Sequence, residues 1–313
     1  MNTTLTNSGG PPRGAVVITG ASSGIGRTCA LSLDALGFRV FAGVRKSNDG
    51  ESLRRASSAR LTSLFIDVTD EQSIAAAAEE VSREVGDAGL VGLVNNAGIA
   101  ILGPLEYLPL EELRRQIEIN LVGQLAVTQA FLPLLRRARG RMVNVSSLAG
   151  KLSTPFNGAY GAAKHGMEAL SDTLRMELAP WGIHVSVVEP GAIATHMPKK
   201  LSRDAQAVLG SLPSEGRERY GSAFETYVRV LAEHAQNGSP PEVVSQKIIH
   251  ALTARTPRTR YPAGAHARRL LTLYRLLPDR LFDRVIFRFF DLPRVRRTRS
   301  LGERSPHGFL KAI

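Results

Sequence analysis

The sequence predicts an α/β fold, a parallel sheet with helices on both faces, in a single domain that continues into a basic helical extension. Three observations predict it. Short apolar, β-branched runs alternate with longer stretches of helical periodicity from Gly14 to about residue 195. The first run ends in a glycine-rich turn that leads straight into a helix. The polar groups that stand out chemically fall at the C-terminal ends of these runs or on the adjoining helix, where ligands sit in such sheets.

GAVVIT (14–19) reads as a buried strand and runs into GASSGIG, with Gly20, Gly24 and Gly26. Ile25, Cys29, Leu33 and Leu36 then mark one side of a helix. Backbone N–H groups in such a turn, with a helix N-terminus, can hold a pyrophosphate. The spacing is G-x-x-x-G-x-G and not G-x-G-x-x-G, so the general dinucleotide fingerprint does not match and a plain tight turn stays open. FRVFAGVR (38–45) is the next strand, whose end belongs beside an adenosine ribose. An acid is usual there for NAD, but this chain has Val44, Arg45 and Lys46. Arg45 can pair with a 2′-phosphate, which favours NADP(H) over NAD(H). The alternative is that Arg45 and Lys46 merely open a solvated loop.

LTSLFIDVTD gives a third strand ending at Asp67, with Thr69 or Asp70 capping the helix SIAAAAEEVSREV. LVGLV is a fourth strand, ending in Asn95-Asn96-Ala97-Gly98, a sequence suited to close ligand contact or to an Asn-rich turn. A long helical pattern covers about Leu110 to Arg137, and Asn120 inside it is either surface-facing or has a specific task. RMVNV, the fifth strand, ends at Ser146-Ser147. The helix after it carries Tyr160 and Lys164, which at i and i+4 project from one face and reach about Leu178. An ammonium near a phenol is expected to lower a pKa that starts at roughly 10, making Tyr160 a usable acid or base. Ser147 could steady a carbonyl oxygen beside it. IHVSVVEPGAIAT supplies strand six and a loop with Pro190, Gly191 and Thr195.

The net charge of +12 is localised. Residues 255–313 hold fourteen Arg and one Lys against four acids, a net +11, which leaves +1 for all the rest. The charge therefore belongs to the tail. One cysteine, Cys29, excludes an internal disulfide and fits a reducing, cytoplasmic compartment. No uninterrupted apolar run suggests a membrane span, and residues 1–12 read as a flexible leader, not a secretory signal. No metal site is expected.

Taken in order, TGASSGIG (19–26), Asp67, NNAG (95–98), Asn120, VNVSS (143–147), YGAAK (160–164) and PGAIAT (190–195) resemble the short-chain dehydrogenase/reductase family. The likeness covers roughly residues 13–264 and explains the glycine spacing. It implies a doubly wound, Rossmann-type sheet and an Asn120–Ser147–Tyr160–Lys164 tetrad. Family spacing places the serine thirteen positions before the tyrosine, which selects Ser147 over Ser146. By the same resemblance, Tyr160 is the general acid in carbonyl reduction and the base in alcohol oxidation. Lys164 lowers its pKa and holds the nicotinamide ribose, and Asn120 supports a proton-relay water. Cofactor contacts are implied for Gly20, Ser22, Ser23, Gly24, Ile25 and Gly26. Asp67 and Val68 are implied at the adenine, and Asn96, Ala97 and Gly98 beside them. Pro190, Gly191, Ile193 and Thr195 are implied near the carboxamide. PFNGAYGAAKHGMEALSDTLRMELAPWGIHVSVVEPG and TPRTRYPAG (256–264) resemble retinol and hydroxysteroid dehydrogenases, which implies a lipophilic alcohol or carbonyl substrate. Dimers or tetramers are usual for the family.

Met197, Leu201, Leu209, Leu212, Tyr220, Phe224 and Tyr227 suit either an apolar lid over the substrate or ordinary helix packing. In the extension 265–313, Leu281, Phe282, Val285, Ile286, Phe289 and Phe290 form one helical face, with arginines opposite. That face points either to peripheral attachment at an anionic membrane or to closure over the cleft or a subunit contact. Nucleic acid is not an expected partner, because no stacking platform or groove-reading module accompanies the charge. Two rivals remain beside an NADP(H) oxidoreductase: an NAD-dependent dehydrogenase, and a dinucleotide-binding sensor or scaffold without turnover.

Overall fold

The computed structural model describes residues 13–195 and 197–293, with side-chain detail for all of these but 197–202. The leader 1–12 and the arginine-rich stretch after residue 293 lie outside the described residues. Seven strands form one sheet: β1 (Ala15–Ile18), β2 (Arg39–Val44), β3 (Leu61–Phe65), β4 (Gly92–Asn95), β5 (Arg141–Val145), β6 (His184–Pro190) and β7 (Arg260–Ala263). Their order is β3-β2-β1-β4-β5-β6-β7 and all pairs are parallel. β1 is followed outward by β2 on one side and by β4 on the other, so the order reverses there. That reversal opens the ligand crevice of a doubly wound sheet.

The helices are α1 (Gly24–Ala35), α2 (Ser47–Arg55), α3 (Glu71–Val85), α4 (Leu110–Ile117), α5 (Gly123–Ala138), α6 (Gly158–Leu178), α7 (Met197–Ser211), α8 (Ser214–Gln236), α9 (Pro241–Thr253), α10 (Ala267–Leu276) and α11 (Asp279–Phe289). Strand alternation sends Val16 and Ile18 to one face, with α1 and α9 residues such as Leu33 and Ile248. Ala15 and Val17 go to the other, with Val81, Phe131 and Leu135 of α3 and α5. Because both faces are covered, the strands read as continuous apolar runs. Asp70 is the cap of α3, accepting from Gln72 N and Ser73 N, while Thr69 donates to Asp67.

The predicted helix over 110–137 is interrupted. A π turn at Glu118–Val122 separates α4 from α5 and contains Asn120. Residues 110–138 are also long and apolar enough to cross a bilayer by length and composition. Here they are a core helix, with Val127, Phe131, Leu134 and Leu135 buried against the sheet. Strand three is two residues shorter than expected at its C-terminal end, leaving Asp67 in the loop beyond it.

The basic extension is not a free arm over its described part. Phe282, Ile286, Phe290 and Leu292 are buried with Phe224, Tyr227 and Val228 of α8 and Leu271 of α10. Phe224 and Tyr227 are therefore core residues, and only Leu281 and Phe289 of the expected apolar face stand well out in solvent. Burying a Phe or Ile side chain stabilises by about 1.5–3 kcal/mol, so α11 is held by its own hydrophobic stripe.

Candidate active site

The glycine turn is built by close approach. A Cβ at Gly26 would stand 2.3 Å from Gly20 O and 2.5 Å from Asn96 Nδ2, and Gly20 has φ +65°. Thr19 Oγ1 accepts from Asn96 N and Ala97 N, each at 3.0 Å, and Asn96 Nδ2 donates to Thr19 O and Gly20 O. The ends of β1 and β4 are thus laced together, with the Asn96 amide spent on shaping the turn. The α1 N-terminus has no side-chain cap from Ser23 and no acid in its first turn. Such an uncapped, positive helix end fits the diphosphate of a dinucleotide.

Asn120 is fully buried, and its side chain brackets Ile99: Oδ1 accepts from Ile99 N at 2.9 Å and Nδ2 donates to Ile99 O at 2.9 Å. Gln116 does the same for Ile101 N and Ile99 O. The mid-helix Asn therefore has a specific task, fixing the segment after Gly98. The π turn lies against the β3–α3 loop, where a Cβ at Gly123 would meet Val68 O at 2.3 Å. Asp67 stands 3.9 Å from Arg45, which is largely exposed beyond β2.

Ser147, Tyr160 and Lys164 come together beyond β5. Ser147 caps a short turn, its Oγ accepting from Ala149 N at 3.1 Å, and it is close enough to Tyr160 to draw down that phenol's pKa. Ser146 is buried and turned elsewhere, with its Oγ unpartnered. Lys164 is buried; its Nζ donates to Val145 O at 2.7 Å and lies 5.8 Å from the Tyr160 ring centroid. Tyr160 corrects one expectation. Burial raises its pKa above the ordinary 10, opposed by the neighbouring Ser147, so the net shift is upward and not the expected lowering. The ammonium is itself engaged with Val145, and burial pulls Lys164 down to about 8, opposed by the charge of Glu168.

The remaining expected residues close the rim. Gly191 N donates to Ala263 O at 2.9 Å, and Ile193 bridges Ser239 beyond Pro190. Thr195 abuts the glycine turn, its Cγ2 3.3 Å from where a Gly24 Cβ would lie. Ser22 and Ile25 are half-buried and Ser23 exposed in that same turn. Between Ser147 and Tyr160, Phe156 has φ +62°, and its ring stacks edge-on to Tyr220, Phe224 and Tyr227. A non-glycine residue held there by three rings is a strained point fixed by its packing.

A sequence model of the short chain dehydrogenases matches residues 14–206. The chain belongs to this family. The dehydrogenase is 42% identical over 277 residues to retinol dehydrogenase 5 of Mus musculus, covering 87% of each chain. It is 41% identical over 283 residues to 17-beta-hydroxysteroid dehydrogenase type 6 of Bos taurus, covering 89% of each. A short-chain dehydrogenase from Streptomyces avermitilis has the same fold, with a TM-score of 0.71 at 29% identity over 91% of this chain and 97% of that one. This dehydrogenase is accordingly an oxidoreductase related to the retinol and hydroxysteroid dehydrogenases, and its family implies NAD(P)(H).

One part of the site was not legible from residue types. Buried Glu168 of α6 and Glu189 of β6 join the partly exposed Asp172 of α6, Arg260 of β7 and Lys151 in a charge cluster behind Lys164. Arg260 Nη2 donates to Glu168 Oε2 (2.9 Å) and Asp172 Oδ2 (2.8 Å), its Nε stands 3.4 Å from Glu189, and Lys151 Nζ lies 2.9 Å from Glu168. Burial pushes Glu189 up to about 7, helped by Glu168 and opposed by Lys151 and Arg260. The available signal was the spacing of four from Tyr160 through Lys164 and Glu168 to Asp172, a polar stripe on one helical face.

Proposed function

We propose that this dehydrogenase is NADP(H)-dependent and interconverts a lipophilic, steroid- or retinoid-like alcohol with its ketone or aldehyde. The observation that carries the reading is the convergence of Ser147, Tyr160 and Lys164 beyond β5, with the buried Lys164 Nζ 5.8 Å from the Tyr160 ring centroid at the open end of the sheet. When bound, the nicotinamide supplies or accepts the hydride. Tyr160, with its raised pKa, is protonated at neutral pH and enters carbonyl reduction as the acid. As its proton leaves, the ammonium of Lys164 stabilises the phenolate. Ser147 holds the substrate oxygen that Tyr160 protonates, and in oxidation the same groups run in reverse. Asn120 and Gln116 keep the segment after Gly98 in place beside them. Arg45 and the following Lys46 support the NADP(H) preference. The Asp67 carboxylate, 3.9 Å from Arg45, is what favours the NAD(H) alternative. The names of the relatives support a lipophilic substrate. The test is fluorescence titration with NADPH and NADH, then turnover on retinoids and steroids. NADPH binding with turnover lost in Tyr160→Phe is the expected result; cofactor binding without any turnover would favour the sensor.

A peripheral contact with an anionic membrane, from the cytoplasmic side, is the second part of the proposal. Leu276, Leu281 and Phe289 are exposed on α10 and α11 among Arg275, Arg280, Arg284 and Arg288. Deleting the extension would open the α8–α11 core, so point changes are the cleaner probe. Leu276→Glu with Leu281→Glu should release the protein from phosphatidylserine liposomes in sedimentation; unchanged binding would end the idea.

A further inference from the structure

The buried charges behind the active site have a direction. Tyr160, Lys164, Glu168 and Asp172 are each one turn apart on α6, so they stack along one face. Glu168 is 4% exposed and receives every cation through a single oxygen: Arg260 Nε at 3.1 Å, Arg260 Nη2 at 2.9 Å and Lys151 Nζ at 2.9 Å all reach Oε2. Its Oε1 has no hydrogen-bond partner. Gly150 makes room for it, since a Cβ there would sit 3.0 Å from Glu168 Cγ, 3.0 Å from Lys164 O and 2.6 Å from Ser146 Oγ.

We propose that Glu168 is a positioning residue for the Tyr160–Lys164 pair: a counter-charge one turn beyond Lys164, anchored by Arg260 and Lys151, that keeps the lysine an ammonium. This rests on the proposed roles of Tyr160 and Lys164. A buried lysine with only a backbone carbonyl for a partner loses its proton readily, and burial does draw Lys164 down to about 8. The attraction of Glu168 acts against that burial. The charged groups around Lys164 and its neighbour Glu168 are few. α6 supplies Tyr160, Glu168 and Asp172; the turn after β5 supplies Lys151; β6 supplies Glu189, and β7 supplies Arg260. α4 and the π turn present the uncharged Gln116 and Asn120, while the α4 charges pair among themselves at the surface. Arg275 of α10 acts on Glu189. Glu168 is thus the anion next along the helix from the ammonium, and the cations behind it fix where its charge sits.

The test reads Lys164 directly. With the lysine Cε carbons labelled with carbon-13, the chain has seven lysine signals, and Lys164→Met identifies the one that matters. Glu168→Gln should lower the proton affinity of Lys164 by about tenfold, one pH unit on its titration curve. It should move the corresponding limb of the kcat/KM profile equally. Lys151→Met, at a partly exposed position, should shift the Lys164 titration the opposite way, because it removes a neighbouring positive charge. A structural role alone would lower the melting temperature without producing opposite titration shifts. An unmoved Lys164 titration in Glu168→Gln, or shifts of the same sign in both variants, would overturn the proposal. If Glu168→Gln fails to fold, the sign of the Lys151→Met shift decides alone. The titration needs neither substrate nor turnover, so absent turnover would count against the proposed function and leave this result standing.

Discussion

Replacing Glu189 by Gln should make the protein more stable at pH 8 than at pH 5, measured relative to the unmodified chain. Glu189 is 1% exposed, and its Oε1 has Arg260 Nε at 3.4 Å but no hydrogen bond. Its pKa rises from an ordinary 4.5 to about 7, chiefly by burial and then by the neighbouring Glu168. A raised carboxyl binds its proton more tightly when folded. Its favourable contribution is therefore complete below 4.5 and is lost as pH climbs through 7. Ionising such a group inside the fold costs about 3 kcal/mol. For a chain of this size that corresponds to a difference of roughly 4–5 °C in Tm. The assay is thermal melting of both proteins from pH 5 to pH 8. The Tm advantage of Glu189→Gln should grow across that window, whereas constant effects of the amide on packing cancel in the comparison. Equal differences at pH 5 and pH 8 would refute the assignment of a buried, high-pKa acid at this position.

Other substitutions probe the remaining links. Arg45→Asp should raise the KM for NADPH at least tenfold and spare NADH, if Arg45 reads a 2′-phosphate; equal effects on both would contradict it. Gly26→Ala pushes a methyl group onto Gly20 O and Asn96 Nδ2, so dinucleotide binding should be lost in fluorescence titration while most of the sheet still melts cooperatively. Phe282→Ala empties a buried site among Phe224, Tyr227 and Leu271 and should cost about 3–5 kcal/mol in denaturant unfolding. A change under about 0.5 kcal/mol would mean that α11 is not packed as described.

The sheet was legible because its signals are local. GAVVIT, RMVNV and IHVSVVEP are apolar runs that fall on β1, β5 and β6 with shifts of no more than a residue or so at their ends. The glycine spacing was readable for the same reason, since a missing Cβ leaves its mark at one position. The short helix α2 left no clear apolar stripe, as its buried residues are only Gly50 and Leu53. The π turn was also illegible. Whether Asn120 widens a helix depends on Ile99, a residue 21 positions away, offering its backbone to both ends of one amide.

The pKa of Tyr160 shows why chemistry at a site outruns its motif. The i and i+4 spacing correctly placed Lys164 on the same face, but spacing carries no information about solvent. Lys164 is buried and Tyr160 half-buried, so desolvation raises the phenol and lowers the amine, driving their proton affinities apart with the amine now the lower. A lysine near neutrality beside a phenol above 10 is a poorer base-maker than the motif suggests, unless something restores its charge. The group in position to do so is Glu168 of α6, itself held by Arg260 of β7. Arg260 lies 92 residues from Glu168 in sequence, and only the parallel order β5-β6-β7 brings them together. The sheet therefore does more than carry the proposed catalytic residues at its ends: through β6 and β7 it anchors the charge of Glu168 behind Lys164.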